Sequence, residues 1–115
     1  MAFEYENEVQ SKDFFQKRLV KDIQATDNQV TLTGYARNLN ASDEFNLDDT
    51  TGQINIRDIP DETVAIKEGK IFTVLGNVSL DGAGTKFISA QFIRDAEGIN
   101  FELYLKSMEL FKKII

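Results

Sequence analysis

The chain has 115 residues, 42% of them apolar, with neither cysteine nor histidine; that length and apolar content suit one domain with one core. The missing residue types exclude disulfides, thiol chemistry, Cys/His zinc sites and every catalytic arrangement that relays a proton through histidine. Nineteen acidic against thirteen basic residues leave a net charge of −6, opposite in sign to a chain built chiefly to neutralise phosphates or anionic membrane surfaces.

The acidic start, MAFEYENEVQSK, lacks the basic-then-apolar layout of a signal peptide, and no apolar run reaches the length of a membrane span. An intracellular protein is expected, with residues 1–16 a flexible or short helical segment. Ser11 to Val20 could open a short helix capped by Ser11, and Phe14, Phe15, Leu19 and Val20 would equally suit a loop packed under a barrel.

Strand signals then follow in series. Gln29 to Arg37 alternates, with Val30, Leu32, Gly34 and Ala36 on one face and Thr31, Thr33, Tyr35 and Arg37 on the other. After the turn LNASD, Glu44 to Asp48 reads as a second strand with Phe45 and Leu47 inward. The turn DDTTGQ, with Gly52 expected to supply a positive φ, leads to a third strand, Gln53 to Ile59, with Ile54 and Ile56 inward. Pro60 stops it, and Asp61 to Lys70 reads as a connector closed by Gly69. Ile71 to Leu80 is the fourth strand and, beyond the hairpin DGAG, Thr85 to Arg94 is the fifth. Gly34 and Gly76, inside strands, mark close backbone approach or the sharp bends of a small barrel. Phe101 to Ile115 reads as helix.

Three strands, a non-hairpin connector, two more strands and a helix give an all-β fold: a five-stranded OB-fold barrel over residues 17–98 with a C-terminal α-helix over 99–115. An SH3-like barrel is the main competitor, and it does not usually accommodate so long a connector and a terminal helix.

Three groups of residues invite a functional reading. Asp48-Asp49-Thr50-Thr51-Gly52, with Asp43, Glu44 and Asp58 nearby, could attract a hard cation, but it lacks the spacing of a calcium loop. A hairpin turn whose Asp and Thr side chains bind local amides is the preferred reading, so no metal site and no cofactor is expected. OB-folds bind single strands by stacking bases on aromatic rings while Arg and Lys follow the phosphates. The outward candidates here are Tyr35, Arg37, Asn46, Asn55, Arg57, Lys86 and Phe87, a thin set consistent with modest single-stranded DNA binding.

The helix carries the third group. At 100° per residue, Phe101, Tyr104, Leu105, Met108, Phe111 and Ile115 fall within one broad arc. Leu103, Ser107, Leu110 and Ile114 form a second stripe. Docking on the helix's own barrel needs one apolar stripe. Two stripes imply two contacts, one of them with the open end of the barrel and the other with partner chains, so both sets are candidate subunit-interface residues.

From Gln29 to Ile115 the chain resembles the single-OB subunits of replication protein A, the middle subunit most and the telomeric Stn-type relatives more distantly. The resemblance rests on NQVTLTGYAR, FNLDDTTGQINIRD, IFTVLGNVSL and the helix NFELYLKSMELFKKI, in that order and spacing. It implies a non-catalytic subunit of a heterotrimeric, single-stranded-DNA-binding complex acting in replication and repair. The terminal helix would pack beside helices of sister OB-fold subunits, and the groove would make a secondary DNA contact. It also implies action in the cytoplasm or nucleoid if the source is archaeal and in the nucleus if it is eukaryotic. Two departures stand out. The family's stacking aromatics give way here to Ile59 and to Leu80-Asp81, and the resemblance is to a trimmed version without the phosphorylated tail or winged-helix domain of the eukaryotic middle subunit. The alternative is a stand-alone OB-fold protein–protein interaction module that binds no nucleic acid. An enzyme ranks below both, since no base, nucleophile or metal set has workable spacing.

Overall fold

The computed structural model describes residues 15–40, 44–61, 63 and 65–114. Its strands are β1 (Gln16–Lys17), β2 (Gln29–Asn40), β3 (Glu44–Asp48), β4 (Gln53–Arg57), β5 (Ile71–Leu80) and β6 (Lys86–Asp95), followed by the helix α1 (Phe101–Ile114). The sheet order is β1-β2-β3-β4-β6-β5, and a β2–β5 pairing closes β2 to β6 into a barrel. Within the barrel only β4–β6 is parallel. Three hairpins, one closing seam and one parallel crossover make this the OB-fold.

Alternation in the sequence becomes the wall of the core. Val30, Leu32, Ala36, Phe45, Leu47, Ile56, Phe72, Val74 and Ile88 are all buried in one cluster, so successive residues of each strand face core and exterior in turn. Phe45 and Phe72 meet across it at 6.4 Å between ring centroids. The two mid-strand glycines are required by close approach. A Cβ on Gly34 would lie 2.7 Å from the Asp48 carbonyl oxygen, and one on Gly76 would lie 2.5 Å from that of Ser89. Neither obstacle is a side chain that could swing aside.

Strict period two is interrupted at two places: between Arg37 and Asn40 of β2, where the register against β3 shifts and Asn38 has φ 55°, and in β6. Leu75 pairs with Phe92 while Gly76 pairs with Ala90, which leaves Gln91 as a bulge. The extra residue returns Ile93 to the core and leaves Phe92 exposed.

The chain before β2 differs from the helix expected over Ser11 to Val20. Residues 11–14 lie outside the described part, and the remainder is extended, with β1 parallel to Val30–Thr31 and a short 3-10 turn at Val20–Asp22. β1 fills the edge of β2 that β3, paired from Tyr35 onward, does not reach. Leu19 beyond it is buried, in keeping with the alternative of a segment packed against the barrel.

Candidate nucleic-acid and subunit interfaces

Strand register gathers several of the expected groove residues into one row. Arg37 pairs with Asn46, Asn46 with Asn55, Asn55 with Phe87, and Phe87 with Ser79. Directly paired residues share a sheet face, so these five side chains cross the outside of β2, β3, β4, β6 and β5 in order. A second row, Arg57–Ser89–Asn77, runs beside it. The row is polar with one ring, and it is wired internally. Asn55 Nδ2 donates to Asn46 Oδ1 at 3.1 Å, and Arg57 Nε donates to Asn55 Oδ1 at 2.6 Å. The Arg57 guanidinium lies 4.3 Å from the centroid of Phe87. Arg37 and Arg57 are each paired with a carboxylate, Asp48 at 3.8 Å and Asp81 at 3.5 Å.

Two expected members stand elsewhere. Lys86 precedes Phe87 and so has the opposite parity, and its Nζ donates to the Ile23 carbonyl at 2.7 Å. Tyr35 faces outward, but its ring is met edge-on by Phe101 at 5.1 Å, with the Arg37 guanidinium 5.2 Å away. It belongs to the helix contact more than to the row. Asp81 and Ser89, which complete the polar surface, escape sequence reading because the parallel β4–β6 pairing that brings them beside Arg57 links residues some thirty positions apart.

The helix starts cleanly. The Asn100 side chain accepts the Leu103 amide at 3.0 Å and its carbonyl accepts the Tyr104 amide at 2.9 Å, which satisfies donors that a first turn leaves open. Phe101 stacks on Tyr104 at 5.5 Å, Met108 is buried at 6% exposure, and Lys21 pairs with Glu109 at 2.9 Å. Beneath them Thr33 and Thr73 point away from the core yet are buried, joined hydroxyl to hydroxyl at 2.9 Å. The helix therefore rests on the outward face of β2 and β5 and not on the open end of the barrel, because Tyr35 and the small Thr33–Thr73 pair leave a shallow seat there for Phe101 and Tyr104. Burial raises the Tyr104 phenol above its ordinary pKa of 10.0, and the Asp49 charge acts the same way, against an opposing hydrogen bond to Thr33.

The Phe101–Tyr104–Met108 stripe thus faces the barrel. Leu103 and Leu110, at 59% and 60% exposure, and the exposed Ser107 form the other stripe, about 125° round the axis at 100° per residue. Phe111 and Ile114 continue the two stripes along the backbone, and their side chains lie outside the described part.

The acidic turn is occupied by its own backbone. Asp48 Oδ1 accepts the Thr50 amide at 2.8 Å, and Asp49 Oδ1 accepts the Thr51 amide at 2.9 Å and its hydroxyl at 2.6 Å. The other Asp49 oxygen accepts the Val20 amide at 2.8 Å, and Asp49 is completely buried. Left-handed φ falls on Thr50, at 71°, and not on Gly52 as the sequence suggested; the Asp48–Thr50 bond holds Thr50 there. Among the described residues no acidic group is arranged to hold a metal, and Asp43 lies outside them.

No protein-family model matches the chain, and no curated protein matches its sequence. Solved structures do. Telomere capping protein Ten1 from Saccharomyces pombe is similar at 17% identity and a TM-score of 0.72, over 86% of this chain and 98% of that one. A chain of the S. pombe Stn1–Ten1 complex is similar at 18% identity and 0.69, over 86% and 92%. A chain of a replication protein A heterotrimer bound to single-stranded DNA is similar at 21% identity and 0.61, over 76% and 72%. The resemblance read from the sequence therefore holds in three dimensions at the level of fold, and the chain is an OB-fold protein similar to replication protein A-type and Stn/Ten-type structures.

Proposed function

We propose that this chain is a non-catalytic OB-fold subunit of a replication protein A-like, single-stranded-DNA-binding complex, acting in DNA replication or repair. It assembles with other OB-fold subunits, as a heterotrimer, through α1, and contributes a secondary DNA contact through the Arg37–Asn46–Asn55–Phe87 row and Arg57. The observation that carries this reading is the helix with two apolar stripes about a third of a turn apart, one seated on the barrel and one holding Leu103 and Leu110 in water. Exposed leucines repeated at helical spacing suit a bundle seam. The Stn1–Ten1 complex and the replication protein A heterotrimer among the similar structures add support for OB-fold partners. An intracellular site of action, on chromosomal DNA, follows from the same reading.

Two measurements test it. The tagged chain, purified from its source cell, should bring down other OB-fold subunits in fixed proportion. Titration of a labelled single-stranded oligonucleotide at several salt concentrations should give weak binding that declines as salt rises, since a phosphate contact releases counterions. The acidic balance and the carboxylate-paired arginines favour one competitor, a protein–protein module without nucleic acid. Partner recovery with no salt-dependent binding by chain or complex would select it.

A further inference from the structure

Arg57 is the cation of the outward surface placed to meet both a phosphate and a base, and its position is set by groups at three points. Its Nε donates to Asn55, its guanidinium covers Phe87, and an Nη atom faces Asp81 Oδ2 at 3.5 Å. Asp81 is itself fixed. Its Oδ1 accepts the amides of Ala83 at 2.9 Å and Thr85 at 3.0 Å in the turn between β5 and β6, and these bonds with the nearby Arg57 hold its carboxyl below the usual carboxylate range. One oxygen builds the hairpin; the other holds Arg57.

The consequence concerns Phe87. Its ring is the aromatic surface in the row, and Arg57 already stacks on it. A base that stacks on the face of the ring covered by Arg57 must first move the guanidinium, and a phosphate that binds the guanidinium must compete with Asp81. We infer that Asp81 is an intramolecular stand-in for phosphate: it parks Arg57 over Phe87 and must be displaced when a single strand enters, so the β5–β6 turn sets the affinity of the groove. This inference rests on the proposed nucleic-acid contact. It gives the weak binding expected of the chain a local cause beyond net charge, a specific carboxylate competing for a specific arginine.

The division of labour between the two Asp81 oxygens supplies the variant. Asp81→Asn keeps an oxygen for the Ala83 and Thr85 amides and replaces the charged oxygen facing Arg57 with an amide. The assay is anisotropy of a labelled oligothymidylate on the full chain, with thermal melting as a check on the fold. Asp81→Asn should bind about two- to fivefold more tightly at low salt, the scale of an exposed ion pair. Its log–log salt slope should steepen by about 0.7, one further phosphate on a single strand. Adding Arg57→Gln to Asp81→Asn should cancel both changes, an outcome that a merely structural role for the turn would not produce. If Asp81→Asn melts early, Asp81→Ser, whose hydroxyl can also cap the turn, carries the same expectation. Unchanged or weaker binding by folded Asp81→Asn, while the wild type binds and Arg57→Glu does not, overturns the inference alone. No binding by the wild type or any variant at the lowest salt overturns the nucleic-acid reading and the inference with it.

Discussion

Asp48 and Asp49 are neighbours of one residue type, and the fold gives them different work. Asp48 accepts a local amide at the surface and faces Arg37, whereas Asp49, fully buried, ties the turn to Val20, 29 residues earlier in the chain. Asp49→Ala should therefore cost about 2–3 kcal/mol, since it leaves the Val20 and Thr51 amides without their charged acceptor, and Asp48→Ala about 1 kcal/mol or less. Denaturant melts of the two variants check the contrast, and equal losses would contradict it. Gly76→Ala places a methyl group against the Ser89 carbonyl and should cost about 1–3 kcal/mol. Tyr104 has a pH signature. Its raised pKa in the folded chain means that the folded state holds the phenolic proton more tightly than the unfolded state. That contribution is complete below pH 10.0, the unfolded value, and is lost as pH rises through the folded value. Stability measured across alkaline pH should fall more steeply for the wild type than for Tyr104→Phe. Identical slopes would show that the phenol is not buried under the helix.

On the scale of elements, the two faces of α1 should respond oppositely to truncation in the isolated chain. Met108→Ala, at the buried face, should cost about 2–4 kcal/mol. Leu110→Ala, at the exposed face, should stay within about 0.5 kcal/mol. Thermal melts separate them, and a large loss at Leu110 would mean that this face is already covered within the chain. The elements were largely legible because they are local. Glu44 to Asp48 and Ile71 to Leu80 have in the structure the ends their sequences suggested, since alternation and turn residues act within a few positions. What escaped was non-local. Nothing in TKFISAQFIR announces that Gln91 bulges; the bulge answers to the partner strand, which meets it at Gly76. The seat of α1 depends on Thr33 and Thr73 lying side by side forty residues apart. The Thr50 backbone took the conformation that glycine was expected to supply because a side-chain bond from Asp48 holds it. The groove was half legible for the same reason. Parity placed Asn46, Asn55 and Arg57 on the outside, while the links to Phe87 and Asp81 needed the β4–β6 pairing.

For the whole molecule, net charge and assembly act together. A chain at −6 whose groove arginines face Asp48 and Asp81 should bind single strands weakly alone, and Arg57→Glu should weaken that binding further while the barrel stays folded. Persistent tight binding in high salt would contradict this. The central claim is that the exposed stripe of α1 is the joint between subunits. Glutamate in such a seam leaves an unpaired buried charge, at a cost of several kcal/mol, whereas on a free surface it costs almost nothing. The most direct measurement is sedimentation velocity of the complex assembled with wild-type chain and with Leu110→Glu, each first shown by circular dichroism and melting to hold a folded barrel. The account predicts that the wild type sediments with its partners and that Leu110→Glu sediments as a folded, separate chain; a Leu110→Glu chain that still sediments with its partners would contradict it.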